Sequence, residues 1–102
     1  MLFIKVIGMD ISKSKFQLEV INRVKGLRLN AGIGQAKLAN VLNVVTGQIG
    51  NIESPKFKQK YTLKQLYVIS NYFDVSLDYI LTGDNKPLTT NELINLLINY
   101  DE

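Results

Sequence analysis

An all-α fold is predicted for this 102-residue chain from three observations. Apolar residues recur at helical spacing along most of it, Ser/Thr–x–x–Gln/Glu capping pairs open three of those runs, and Gly or Asn follows several of them. The first eleven residues depart from the pattern. Leu2, Phe3, Ile4, Val6 and Ile7, closed by Gly8, have strand-like content. A lone strand needs a partner, and the same segment of a second subunit would supply one.

The first helix opens at Ser14. In "SKFQ" the Ser14 hydroxyl and the Gln17 side chain satisfy backbone N–H groups that the first turn leaves unpaired. Phe16, Val20, Val24 and Leu27 form its apolar stripe, and Asn30 to Gly32 end it. A second helix runs from about Gln35 to Leu42, with Gly34 at the cap position. A third, short one lies within "NVVTGQIGNIES" (43–54), and "SPKFKQK" (54–60) is a basic loop. The fourth helix starts at Thr62, where "TLKQ" is a further capping box and Tyr61 is placed to staple onto Leu66. Leu63, Leu66, Ile69 and Phe73 line its buried face. "DVSLDYILTG" (74–83) makes a fifth helix, capped by Ser76 and stopped at Gly83.

A sixth helix occupies 89–102, opened by Thr89 and Glu92. Leu93, Ile94, Leu96, Leu97, Ile98 and Tyr100 cover more of its circumference than one core requires. Two readings follow: a second surface covered by a dimer mate, or deep packing within one subunit. The resulting organisation is an extended arm or strand at 1–13, a helical domain at 14–84 and a C-terminal, dimerising helix at 85–102.

Composition narrows the function. With 46% hydrophobic residues and no low-complexity tract, the chain suits a single domain with one core. It has no cysteine, hence no disulfide or thiolate metal site, and no histidine, the commonest general base and zinc ligand. The nine acidic residues show no pairing near a cleft-forming motif, and "GQIG" is too short and misplaced for a phosphate-binding glycine loop. A non-enzymatic protein without catalytic residues, cofactor or metal is expected. No apolar run reaches the ~18–20 residues of a membrane span. The apolar start carries Lys5 inside the run and lacks both a basic n-region and a cleavage site, so it does not read as a signal peptide. No membrane association and a cytoplasmic location are expected.

Charge is divided unevenly. Residues 1–73 hold eleven Lys/Arg against three Asp/Glu, whereas residues 74–102 hold one Lys against six Asp/Glu. A basic face for a polyanion, with an acidic end kept away from it, is one reading; an uneven solvated surface is the other.

The second and third helices carry the functional signal. Two short helices crossing steeply need Leu38 and Leu42 inward from the first, Ile49 and Ile52 inward from the second, and Val44 plugging the turn. They also need a small residue, Ala39, at closest approach. At the turn a left-handed residue is required, and Asn43 is the best non-glycine choice. These are the demands of a helix-turn-helix unit, whose second helix lies in the DNA major groove.

Over residues 16–83 the chain resembles the phage-repressor/Cro-like, or XRE-type, helix-turn-helix regulators. The resemblance rests on the order of five helices, on "GQAKLANVLNV…IGNIES" and on "LKQLYVISNYFDVSLDYILTG". It implies a five-helix repressor-like fold that binds double-stranded DNA as a homodimer on a palindromic operator. It also implies a phosphate contact from Gln35, at the opening of the second helix, where free N–H groups and a positive dipole end face the same anion. On a helical wheel Gly47, Gly50, Asn51 and Ser54 face outward, with Thr46 and Gln48 on the flanks. Thr46, Gly47, Gln48, Gly50 and Asn51 are therefore the candidate base-contacting positions. Gln and Asn amides suit adenine, and Thr46 suits a thymine methyl. Gly50 would let the backbone approach a groove wall; the rival account is recognition through shape and phosphates. Ser54, Lys56, Lys58 and Lys60 are candidate phosphate contacts.

Several positions depart from the family pattern. The turn glycine is Asn43, the cap of the second helix is Gly34, and Val45 stands where a hydroxyl cap is usual for the third. Thr46 offers a cap one residue later, which would put Gly47 at the first helical position. No Arg lies on the reading helix, so bidentate guanine recognition is not expected from it. Glu53 reads as structural, paired with a nearby base such as Arg28. The competing function is a protein-interaction module, such as an antitoxin holding a protein partner through the same fold; the apolar sixth helix and the weakly polar reading helix favour it.

Overall fold

Ser14, Thr62 and Thr89 open helices where their spacing predicts, each in a complete reciprocal capping box with Gln17, Gln65 or Glu92 three residues on. The computed structural model describes residues 12–102. These form six helices, with no strand among the described residues: α1 (Lys15–Asn30), α2 (Gln35–Leu42), α3 (Thr46–Glu53), α4 (Leu63–Tyr72), α5 (Leu77–Thr82) and α6 (Thr90–Asp101). The strand-like segment predicted at the N-terminus, with its pairing to a second subunit, lies outside the described residues.

The predicted stripes converge on one core. Val20, Ile21 and Val24 of α1 meet Leu38 and Ala39 of α2, Ile49 and Ile52 of α3, Leu66 and Ile69 of α4, and Ile80 and Leu81 of α5. Each fully buried aliphatic side chain contributes roughly 1.5–3 kcal/mol of transfer free energy. Leu42, Val44, Leu63 and Phe73 pack around this centre, half-buried. Tyr61, just before α4, is fully buried, as is Leu66, the residue it was expected to staple.

Two tight reversals use left-handed backbone at non-glycine residues. Asn43 ends α2 at φ 58°, ψ 45°, as the turn between α2 and α3 requires. Asp74, unforeseen in this role, stands at φ 55° between α4 and α5; Asp shares with Asn a short polar side chain that tolerates this region. Gly83, at φ 76°, stops α5 as predicted.

The sixth helix packs one side of its apolar face within the subunit and leaves the other side exposed. Tyr100 is fully buried, and Leu93, Leu96 and Leu97 pack on the core. Tyr100 stands edge-on to Phe16 with ring centres 6.3 Å apart, and its carbonyl accepts a 2.7 Å bond from the Gln17 amide, docking the end of α6 on the start of α1. Ile94 and Ile98, one turn apart, remain 46% and 55% exposed. Among the described residues no helix is long and apolar enough to cross a membrane.

Candidate nucleic-acid interface

The segment from Gln35 to Lys60 carries every candidate contact residue. α2 packs more extensively on α3 than any other pair of helices, and Ala39, 1% exposed, is the small residue at their contact. The Val44 amide donates 2.9 Å to the Ala39 carbonyl, closing the Asn43 turn. Burial of Ile49 and Ile52 fixes the rotation of α3. That rotation leaves Thr46 and Gly47 exposed, with Gln48, Gly50 and Asn51 half-buried.

One expected detail is corrected at the start of α3. Val45, in extended conformation (φ −79°, ψ 150°), is the N-cap, and Thr46 is the first helical residue. Gly47 is therefore second in the helix, not first, and no side chain caps the turn. The reason is geometric: Thr46 has already adopted helical backbone, so its hydroxyl cannot reach back as a cap, and it remains free. Val45 is 73% exposed despite its apolar side chain. α2 is likewise uncapped by any side chain at Gly34. The other four helices all begin with a Ser or Thr side chain accepting from their first turn.

An open groove of about 640 Å³ lies between α2 and the start of α3, lined by Ala36, Lys37, Ala39 and Asn40 of α2 and by Val44, Val45 and Thr46. Lys56 and Lys58 follow α3 as exposed cations, whereas Lys60 is half-buried. Ser54 is the C-terminal cap residue of α3, and its hydroxyl accepts a 3.3 Å bond from the Lys56 amide.

Glu53 is structural, as anticipated. Its carboxylate receives Arg28 Nε at 2.9 Å and Nη2 at 3.0 Å, with side-chain exposures of only 7% for Arg28 and 4% for Glu53. Arg28 Nη1 also donates to the Ile33 carbonyl at 3.0 Å. Gln35 Nε2 donates to the same Glu53 carboxylate at 2.9 Å. One amide hydrogen of Gln35 is thus committed inside the protein; a phosphate contact from this position would use the other, together with the free N–H groups of α2.

Gly50, expected on the outward face, is half-buried. A Cβ built there would stand 3.5 Å from Gln35 Oε1, in ordinary contact, so its side-chain direction points to the start of α2.

Lys13, predicted only as part of the arm, is 6% exposed. Its ammonium donates to the carbonyls of Asn51 (3.2 Å), Ile52 (2.8 Å) and Ser54. Burial lowers its pKa from the ordinary lysine value. No sequence signal marked it, because backbone carbonyls carry no residue signature. Among the described residues no group of three or more acidic side chains is placed to hold a metal ion.

Compared with protein-family models, with curated proteins and with solved structures, the chain finds no match in any of the three.

Proposed function

We propose that the chain is a sequence-specific double-stranded-DNA-binding transcriptional regulator with a phage-repressor-like helix-turn-helix domain, acting as a homodimer on a palindromic operator. The α2–α3 unit carries this reading. It joins two eight-residue helices through a left-handed Asn43, and both present N-terminal turns free of side-chain caps. Free N–H groups at a helix start are anion donors, and Lys56 and Lys58 add charge on the loop that follows. Thr46, Gln48 and Asn51 read base edges, Gly47 leaves room beside them, and Gln35, Ser54 and the loop lysines hold phosphates. Regulation is steric: an occupied operator is closed to polymerase, and no bond is made or broken.

Selection of duplexes from a random library, followed by a mobility-shift salt titration, tests the proposal. The expected result is a palindrome with half-sites about one helical turn apart. The salt slope should be near −0.9 for each phosphate neutralised. No enriched sequence together with a slope near zero would sink it.

The exposed Ile94–Ile98 pair on α6 supports the homodimer and equally admits a different protein partner, as for an antitoxin component. Replacing both by Asp leaves the buried side of α6 intact. A folded monomer on a sizing column is expected, whereas an unchanged dimer removes α6 as the interface. A stoichiometric partner retained by Asn51→Ala with Lys58→Ala would favour the second reading.

A further inference from the structure

We propose that Lys13 is a positioning residue for the reading helix, holding the last turn of α3, and with it Asn51, in register through the helix's own carbonyls. The inference rests on the DNA-binding reading above.

A helix ends with four carbonyls that have no partner within it. Many helices satisfy some of them with a left-handed glycine just past the end. α3 does not: its cap residue Ser54 is extended, at φ −88° and ψ 131°. The Ser54 amide reaches the Gly50 and Asn51 carbonyls, and Lys13 adds the donors that Ile52 and the cap carbonyl of Ser54 lack, with a second bond to Asn51. An ammonium has three N–H bonds, and three carbonyls receive them, those of Asn51, Ile52 and Ser54. The positive charge also lies at the negative end of the α3 dipole. Ser12 extends the contact by one residue, its amide donating 3.0 Å to the Pro55 carbonyl and its hydroxyl 3.0 Å to that of Lys56. Residues 12 and 13 are therefore bonded at five points to residues 51–56, which span the end of α3 and the start of the lysine loop.

This arrangement gives Lys13 a role different from that of its neighbours. Lys56 and Lys58 are exposed and offer charge to solvent or phosphate. Lys13 is buried with its donors turned into the protein. With its donors turned inward it is not placed for a direct phosphate contact; it sets where the Asn51 amide stands relative to a base edge, where displacements on the order of 1 Å abolish a bidentate contact.

The test compares Lys13→Met with wild type on the selected duplex and on a scrambled one, across a salt series. The specific-to-non-specific affinity ratio should fall about tenfold, the scale of one mismatched base pair, at an unchanged salt slope. Lys13→Arg, which keeps charge and donors, should recover part of the ratio. An unchanged ratio overturns the proposal. So does a slope shallower by about 0.9 with both affinities reduced together, the signature of a phosphate contact. Two measurements in the absence of DNA keep the test decisive if the wild type binds no duplex or the Met variant does not fold. In the wild type, nitrogen-15 NMR should show one lysine ammonium whose protons exchange slowly with water, and uniformly fast exchange for all lysines overturns the assignment. In a folded Lys13→Met, the Ser54 amide should exchange faster than in wild type, and equal protection likewise overturns it.

Discussion

Arg28 and Glu53, 25 residues apart in the chain, meet through two parallel bonds of 2.9 and 3.0 Å and join the last turn of α1 to the last residue of α3. Planar guanidinium and carboxylate match in this two-pronged geometry. Gln35 adds a third bond to the same carboxylate, so the start of α2 and the ends of α1 and α3 meet at one anion. The pair fixes the orientation of α3 from behind, while Ile49 and Ile52 fix it from the core.

Breaking this pair on one side should be severe. Arg28→Met strands a carboxylate that is 4% exposed, and a buried charge deprived of its partner costs roughly 3–5 kcal/mol. Replacing both, as Arg28→Met with Glu53→Leu, removes the stranded charge and should cost less than Arg28→Met alone. Urea unfolding of the two variants checks the order; a double variant less stable than the single one would contradict it.

The start of α3 is undercapped and can be improved. Val45→Ser puts a hydroxyl at an N-cap whose backbone is already extended. The gain should be about 0.5–2 kcal/mol, with little offset because Val45 is 73% exposed and buries little surface. Thermal unfolding measures it. If Val45 packs on DNA, operator affinity should fall even as stability rises, and the two readouts together separate capping from recognition.

Helix starts were legible in the sequence because capping is local: Ser14–Gln17, Thr62–Gln65 and Thr89–Glu92 each act across three residues. The core was legible for the same kind of reason, since Leu38, Ile49, Ile52, Leu66 and Ile69 follow from helical spacing alone. The Asn43 turn followed from the steric demand at one position. What stayed hidden spans long separations. Lys13 reaches carbonyls 38 to 41 residues away, and in sequence it is one more lysine before a capping box. The tie of Gln35 to Glu53 depends on how α2 crosses α3, which spacing along either helix does not give. The Gln35 side chain beside Gly50 stayed hidden for the same reason: a wheel gives a residue's direction around its own helix, not what the neighbouring helix places there.

Gly50→Ala follows from that last point. The new methyl would meet Gln35 Oε1 at an ordinary 3.5 Å, so the helix gains propensity without a clash. Stability should rise by up to ~1 kcal/mol. On the close-approach reading of Gly50 against DNA, operator affinity should drop. Unchanged affinity would assign the glycine to packing beneath Gln35 instead, and paired thermal and mobility-shift measurements distinguish the two.

Two tyrosines make the fold sensitive to alkali. Tyr61 and Tyr100 are fully buried, and burial pushes both phenols well above the ordinary tyrosine value of 10.0. Above that value the unfolded chain releases these protons while the folded chain retains them. Their contribution is therefore intact below about pH 10 and is lost as pH climbs beyond it. Absorbance at the phenolate wavelength should show two of the five tyrosines ionising only as helical circular dichroism disappears; five phenolates with full helicity would refute this. The two hydroxyls also differ. Tyr100 Oη donates 2.9 Å to the Tyr61 carbonyl, whereas Tyr61 Oη is buried with no hydrogen-bond partner among the described residues. Tyr100→Phe should thus cost about 1 kcal/mol and leave that carbonyl unpaired. Tyr61→Phe removes an unsatisfied buried hydroxyl, so it should be neutral or stabilising by about 1 kcal/mol. It should also lessen the alkaline loss, because only Tyr100 then remains to titrate from the core.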